Sequence, residues 1–373
     1  AITFPDGTRA AYHHDSNGRV SRTTINGDVL ERHYEYGPAA SVDMLDAFGA
    51  RTRLEYDEQG RLIRVTDPAG RAAGQEYDGL GRLLRITGPG KEQSGFQYRG
   101  ESPLPHQVIG YLGEITQFTY EPSFQRLSVL TDPTGNIYRH TYDSNGDPAT
   151  IQHPDGQTEQ MEYSDQGLMV ERVNRRDEST QYEYDDQGRL VRKVYADDSE
   201  VTFSYNTRGN LVEATSHAGS VTLAYDDANR LTRISYPGNR YLDYAYNDGG
   251  QRIRMTTHDG YETNYAYDGV GRLVRVSDSA DEAVAVYEYD AAGRLSRKQL
   301  GNGTYTEIEY DPSGQVTTLE NRSSSGEILS NYEYVYDQSG NRTAVKTPEG
   351  DWAYEYDSGA QLTKATSPDG STR

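Results

Sequence analysis

The 373-residue sequence predicts an all-β chain, an array of about 17 β-hairpins in one long, spiralled antiparallel sheet. Three observations predict it. A seven-residue phrase returns every 20–22 residues; 32 Tyr stand against 6 Phe and one Trp; and 38 Gly and 14 Pro accompany them. A β-favouring aromatic with abundant turn formers and few long aliphatics specifies short strands and tight turns.

The phrase is Tyr-Asp-x-x-Gly-Arg-Leu. It reads Tyr56-Asp57-Glu58-Gln59-Gly60-Arg61-Leu62, then Tyr77-Asp78-Gly79-Leu80-Gly81-Arg82-Leu83, and Tyr184-Asp185-Asp186-Gln187-Gly188-Arg189-Leu190. It returns as Tyr267-Asp268-Gly269-Val270-Gly271-Arg272-Leu273 and Tyr289-Asp290-Ala291-Ala292-Gly293-Arg294-Leu295. Asp or Asn at the second position bonds its own backbone two residues on, and Gly or Asn229 at the fifth accepts a positive φ. Asp-x-x-Gly is therefore a type I turn closed by a left-handed residue, a common hairpin connection.

A second turn separates consecutive phrases, as in Asp67-Pro68-Ala69-Gly70, Asp132-Pro133-Thr134-Gly135 and His153-Pro154-Asp155-Gly156. Removing about seven turn residues from each repeat leaves two strands of about seven residues, a usual strand length. Alternation places Tyr182 and Tyr184 on one face and Glu183 on the other, with Leu190, Arg192 and Val194 together on the return strand. About 34 strands at roughly 4.8 Å make a sheet on the order of 160 Å wide, which normal strand twist forces to coil around a solvated interior.

Residues 91–127 are read as degenerate repeats inside the same array, and residues 1–373 as a single array. Ser323-Ser324-Ser325-Gly326, within the one 26-residue spacing, is read as a lengthened loop. The pattern is cut mid-repeat at both ends, as expected of a fragment of something longer.

Composition narrows the function. The net charge is −21, with Lys and Arg scattered, so nucleic acid is not an expected partner. There is no cysteine, which removes thiolate nucleophiles and cysteine metal sites. No apolar run reaches the roughly 18 residues of a membrane helix, and residues 1–30 lack a signal-peptide pattern.

The phrase and its period resemble YD repeats, and the second turns resemble those of bacterial Rhs (rearrangement hotspot) proteins. Similar shells occur in the C components of insecticidal toxin complexes and in teneurins. The resemblance implies a hollow β-shell that encloses a C-terminal toxin polypeptide for delivery, including type VI secretion, from a bacterial cell. It implies as partners the enclosed toxin, the remaining shell and plug segments, and a secretion spike or chaperone. Related proteins cleave themselves at an Asp-Pro-x-Gly-Leu-like motif. Asp67-Pro68-Ala69-Gly70-Arg71 and Asp311-Pro312-Ser313-Gly314-Gln315 lack its Leu, so no protease residues are carried over.

No catalytic, cofactor or metal residues are therefore expected, and the chain reads as a scaffold rather than an enzyme. Acidic pairs such as Asp185-Asp186, Asp197-Asp198 and Asp226-Asp227 recur with the period and are assigned to turns. Asp143, Asn145 and Asp147 start a calcium-loop spacing that fails at Pro148 and Pro154. The eight His include one adjacent pair, His13-His14, and no metal-ligand spacing. The alternative function is extracellular adhesion or carbohydrate binding through tyrosine rows; packing explains those rows more simply, since every repeat would carry the tyrosine.

Overall fold

Residues 1–4, 8–26, 29–357 and 359–372 are described by a computed structural model. Among them are 35 strands, every recorded pairing is antiparallel, and there is no helix. The all-β, hairpin-by-hairpin expectation holds. The described residues divide into two units. One contains residues 1–95, 246–254 and 261–373, the other residues 96–245 and 255–260. In the second, consecutive strands from Pro105–Ile109 to Arg240–Tyr246 pair in chain order.

The hairpin Ser179–Tyr184 and Leu190–Tyr195 shows how each repeat is built. Gln181 faces Val194, Glu183 faces Arg192, and Tyr184 faces Leu190, with a bulge between Glu183 and Tyr184. The extra residue, Val191, corrects one expectation. Leu190 shares a face with Tyr184, whereas Arg192 lies on the face of Glu183. An unbroken period of two would have kept Leu190 and Arg192 together, but the inserted residue turns the strand over. The same shift recurs before Tyr56, Tyr77, Tyr267 and Tyr289.

The 26-residue spacing is a second correction. Ser323–Gly326 is an ordinary turn, with the Gly326 N–H on the Ser323 carbonyl at 3.0 Å and the Ser323 N–H on the Glu327 carbonyl at 2.8 Å. The added residues lengthen the strands instead, to seven residues in Val316–Arg322 and nine in Ile328–Tyr336. Ser323 Oγ accepts the Glu327 N–H at 3.1 Å, as a turn aspartate would, so a tight turn survives and the ladder absorbs the length.

In the degenerate stretch the turn aspartate becomes Glu121. Its carboxylate accepts the N–H groups of Ser123, Phe124 and Arg126, at 2.8, 2.8 and 3.0 Å, around a turn one residue longer. Gln125 takes the positive φ there, at 55°.

No solid core accompanies this sheet. Among the described residues the buried apolar side chains are Ala10, Ala285 and Val345, and no large side chain is fully buried. Stability must come from ladders, turns and half-buried neighbours, a nearest-neighbour arrangement.

The first unit also joins early hairpins to late ones. The Ala69 N–H donates to Ser313 Oγ at 3.0 Å, and the Arg71 guanidinium donates to Gln315 Oε1 at 2.6 Å. Thr8 and Asn26 both donate to the Gly269 carbonyl, and Arg294 lies over the Phe48 ring, while Gln315 Nε2 reaches the Gly340 carbonyl of the adjacent repeat at 2.9 Å.

Gly188 sits at φ 75°, and a methyl group added to its Cα would meet nothing nearer than Leu168 at 3.6 Å, so a side chain there faces backbone strain and no clash. Gly188→Ala is expected to cost about 1 kcal/mol. A urea midpoint unchanged by the substitution would contradict the turn assignment.

Candidate functional site

The repeated unit of this chain is a clamp, and its parts assemble from the turn outward. In Tyr184–Leu190 the Gly188 N–H bonds the Asp185 carbonyl at 2.9 Å and the Asp185 N–H bonds the Arg189 carbonyl at 3.0 Å, closing the reversal. Asp185 Oδ1 accepts the backbone N–H groups of Gln187 at 2.9 Å and Arg189 at 3.0 Å. Its Oδ2 takes Arg189 Nε at 2.7 Å. One carboxylate thus secures three donors that would otherwise face water across a mobile loop.

The arginine is shared with the next repeat. Its guanidinium carbon lies 4.8 Å from the centre of the Tyr205 ring, and Tyr205 donates its hydroxyl to the Leu190 carbonyl at 2.8 Å. Tyr205 therefore ties its hairpin to the one before it, through a cation–π contact and a hydrogen bond that phenylalanine could not make.

The other singled-out residues repeat this geometry. Arg61, Arg82, Arg272 and Arg294 place Nε 2.6, 2.7, 2.7 and 2.7 Å from Asp57, Asp78, Asp268 and Asp290. Gly60, Gly81, Gly271 and Gly293 have φ between 77° and 85°. Arg61 lies over Tyr77, Arg272 over Tyr289, and Arg294 over Tyr310. Tyr77, Tyr267 and Tyr289 donate to the carbonyls of Leu62, Arg252 and Leu273, and Tyr56 faces Leu62 across the strand pair.

The structure brings residues together within each clamp and between adjacent clamps. Sequence reasoning placed Asp and Gly in the turn but gave Arg no role and Tyr only a packing one. A signal was present: the copies with Asn206 and Asn247 in place of Asp carry Asn210 and Gln251 in place of Arg. There the amide pair substitutes, Asn247 Nδ2 donating to Gln251 Oε1 at 2.9 Å.

The other candidates are absorbed by turns. Asp143 accepts the N–H groups of Asn145 and Asp147 at 2.8 and 2.9 Å, and Asp197 holds Ser199. Asp226 clamps Arg230, while Asp227 pairs with Arg208 from the preceding repeat. His153 contacts Glu159 at 3.1 Å and stands edge-on to Tyr138. Among the described residues no cluster of three His, Asp or Glu has the arrangement of a metal site.

Residues 169–308 match the Teneurin YD-shell family, and residues 42–72 and 56–93 match the RHS repeat. The clamps within these stretches match YD and RHS repeats. Similar solved structures include TcdB2-TccC3, at 18% identity over 97% of this chain and 20% of that chain, with a TM-score of 0.42. Another is the Photorhabdus luminescens Tc holotoxin pore, at 17% identity over 97% of this chain and 19% of that one, TM-score 0.42. The chain spans about a fifth of the length of these matched chains. A search of curated protein sequences gives no match.

Clamp groups link stability to pH at both extremes. The Arg189 side chain and backbone N–H hold Asp185 below its ordinary 3.8, and the Arg82 backbone N–H does the same for Asp78. A lowered folded pKa contributes stability above the unfolded value, lost as pH falls through the folded one. Burial raises Tyr184, Tyr289 and Tyr310 above 10.0, which reverses the sign: stability is present below pH 10 and lost as pH rises past the folded values. Thermal melts are expected to hold a plateau between about pH 4 and 10 and to fall on both sides, beginning below 3.8 in acid. A Tyr205→Phe variant is expected to lose about 1 kcal/mol through the orphaned Leu190 carbonyl. Equal urea midpoints for variant and parent would remove that link.

Proposed function

We propose that this chain is a wall segment of a hollow β-shell that encloses a polypeptide made as part of the same precursor. The observation that carries the reading is a 35-strand sheet with no solid core on either face, held at its turns. A globular domain buries one face of each sheet; a wall between two solvated spaces needs neither face covered. The YD-shell match over residues 169–308 and the edge contact between early and late hairpins of the first unit support the same reading.

In its finer form the enclosed polypeptide is a toxin, and the assembled shell leaves a bacterial cell, with type VI secretion as a route. Plug segments and a secretion spike or chaperone would complete it. The segment's role is non-catalytic containment. Repeat tyrosines such as Tyr205 and Tyr289 are engaged within the wall, the ring under an arginine and the hydroxyl on a carbonyl, which leaves fewer of them for an adhesion or sugar-binding role.

The parent protein, purified natively and then analysed by intact-mass spectrometry under denaturing conditions, is expected to yield this segment in a large fragment. A separate, non-covalently retained C-terminal polypeptide should accompany it. A single uncleaved species with nothing retained would overturn the containment reading.

A further inference from the structure

The contacts between the early and the late hairpins of the first unit lack the strand ladder that joins neighbouring hairpins. Within a hairpin, strands are tied by backbone ladders: Tyr305–Tyr310 meets Val316–Arg322 through six residue pairs. Between residues 8–90 and 269–340 the contacts run instead from turn to turn. Ala69 and Arg71 meet Ser313 and Gln315, and Thr8 and Asn26 meet Gly269.

The Arg71 charge is already satisfied inside its own turn, with Nε on Asp67 Oδ2 at 2.5 Å, so its bond to the Gln315 amide adds no ion pair. Two grooves of about 690 and 790 Å³ open along this line. Pro68, Ser313 and Gly314 line one, and Arg71, Asp311 and Gln315 the other, so the Ala69–Ser313 and Arg71–Gln315 bonds stand between two water-accessible spaces. Contacts flanked by solvent on both sides give up little when replaced by bonds to water, whereas a ladder must part cooperatively.

We propose that this seam is a separable joint: the early and late hairpins part along the Ala69–Ser313 and Arg71–Gln315 contacts while the strand ladders stay paired. Its role as a passage through the wall rests on the shell reading above; its separability does not.

The absence of cysteine makes the test clean. Ala47 and Ala291 are exposed turn residues on opposite sides of the seam, and A47C/A291C accepts two spin labels without background. Electron–electron distance measurement is expected to give one short distance in this protein. S313A/Q315A, which leaves both turn aspartates and their backbone partners in place, should add a longer population with the far-ultraviolet strand signal unchanged. An unaltered distance distribution, or a longer population that appears only as strand signal is lost, would overturn the joint.

For the passage, A69C/S313C is introduced into the native parent. Oxidation is expected to slow loss of the retained polypeptide, and reductant to restore it. Equal loss from both forms removes the passage and leaves the shell standing. No retained polypeptide at all removes the shell, and the spin-label result then decides the joint alone.

Discussion

A sheet without a core must fix its chain reversals locally, and the rest of this structure follows from that constraint. In a globular domain a loose hairpin loop is tolerated because buried side chains hold the strands in register. Here the buried apolar side chains among the described residues are two alanines and a valine. The register must be set within each turn, and Asp185 sets it through its carboxylate: two backbone donors on one oxygen, an arginine on the other. Gly188 supplies the positive φ that lets the type I turn rejoin the ladder, and the bulge at Val191 restores the hydrogen-bond phase.

The clamp also explains the composition. Tyrosine exceeds phenylalanine because the ring must do two things at once, accept a guanidinium on its face and donate a hydroxyl to the preceding repeat's carbonyl. Phenylalanine could do only the first. Arginine rather than lysine follows from geometry, since Arg189 reaches Asp185 with its Nε edge while presenting its plane to Tyr205. Coupling runs from each hairpin to its neighbour, so local damage is felt mainly by adjacent repeats.

Much of this was legible in the sequence because it is local and periodic. The twelve repeat glycines and Asn229 all adopt a positive φ, between 62° and 87°. The bulge was not legible, since it places an ordinary residue, Val191, where alternation alone would have continued. Nor was the behaviour of Ser323–Gly326, because a serine-rich segment reads as loop until its hydroxyl is seen to occupy the aspartate's place. The seam was beyond reach for a different reason. Ala69 and Ser313 are 244 residues apart, and nothing in either turn's own residues specifies a partner at that distance.

The seam clarifies where the net charge of −21 can act. On the sheet faces acidic residues meet arginines, as Arg192 bridges Glu183 and Glu200, so a face is close to neutral along such a row. Clamp aspartates such as Asp57, Asp185 and Asp290 are neutralised by their own arginines. Uncompensated acids such as Glu58, Asp186 and Asp198 are exposed near turn apices, which are the edges of the sheet. Two edges of like charge repel when brought together. Where the edges do meet, Arg71 faces Gln315 and Ala69 faces Ser313, a neutral amide and a hydroxyl in place of further carboxylates. At this stretch of edge the sixth position of the turn is Gln315 rather than a charged residue, so it can receive Arg71 without bringing like charges together.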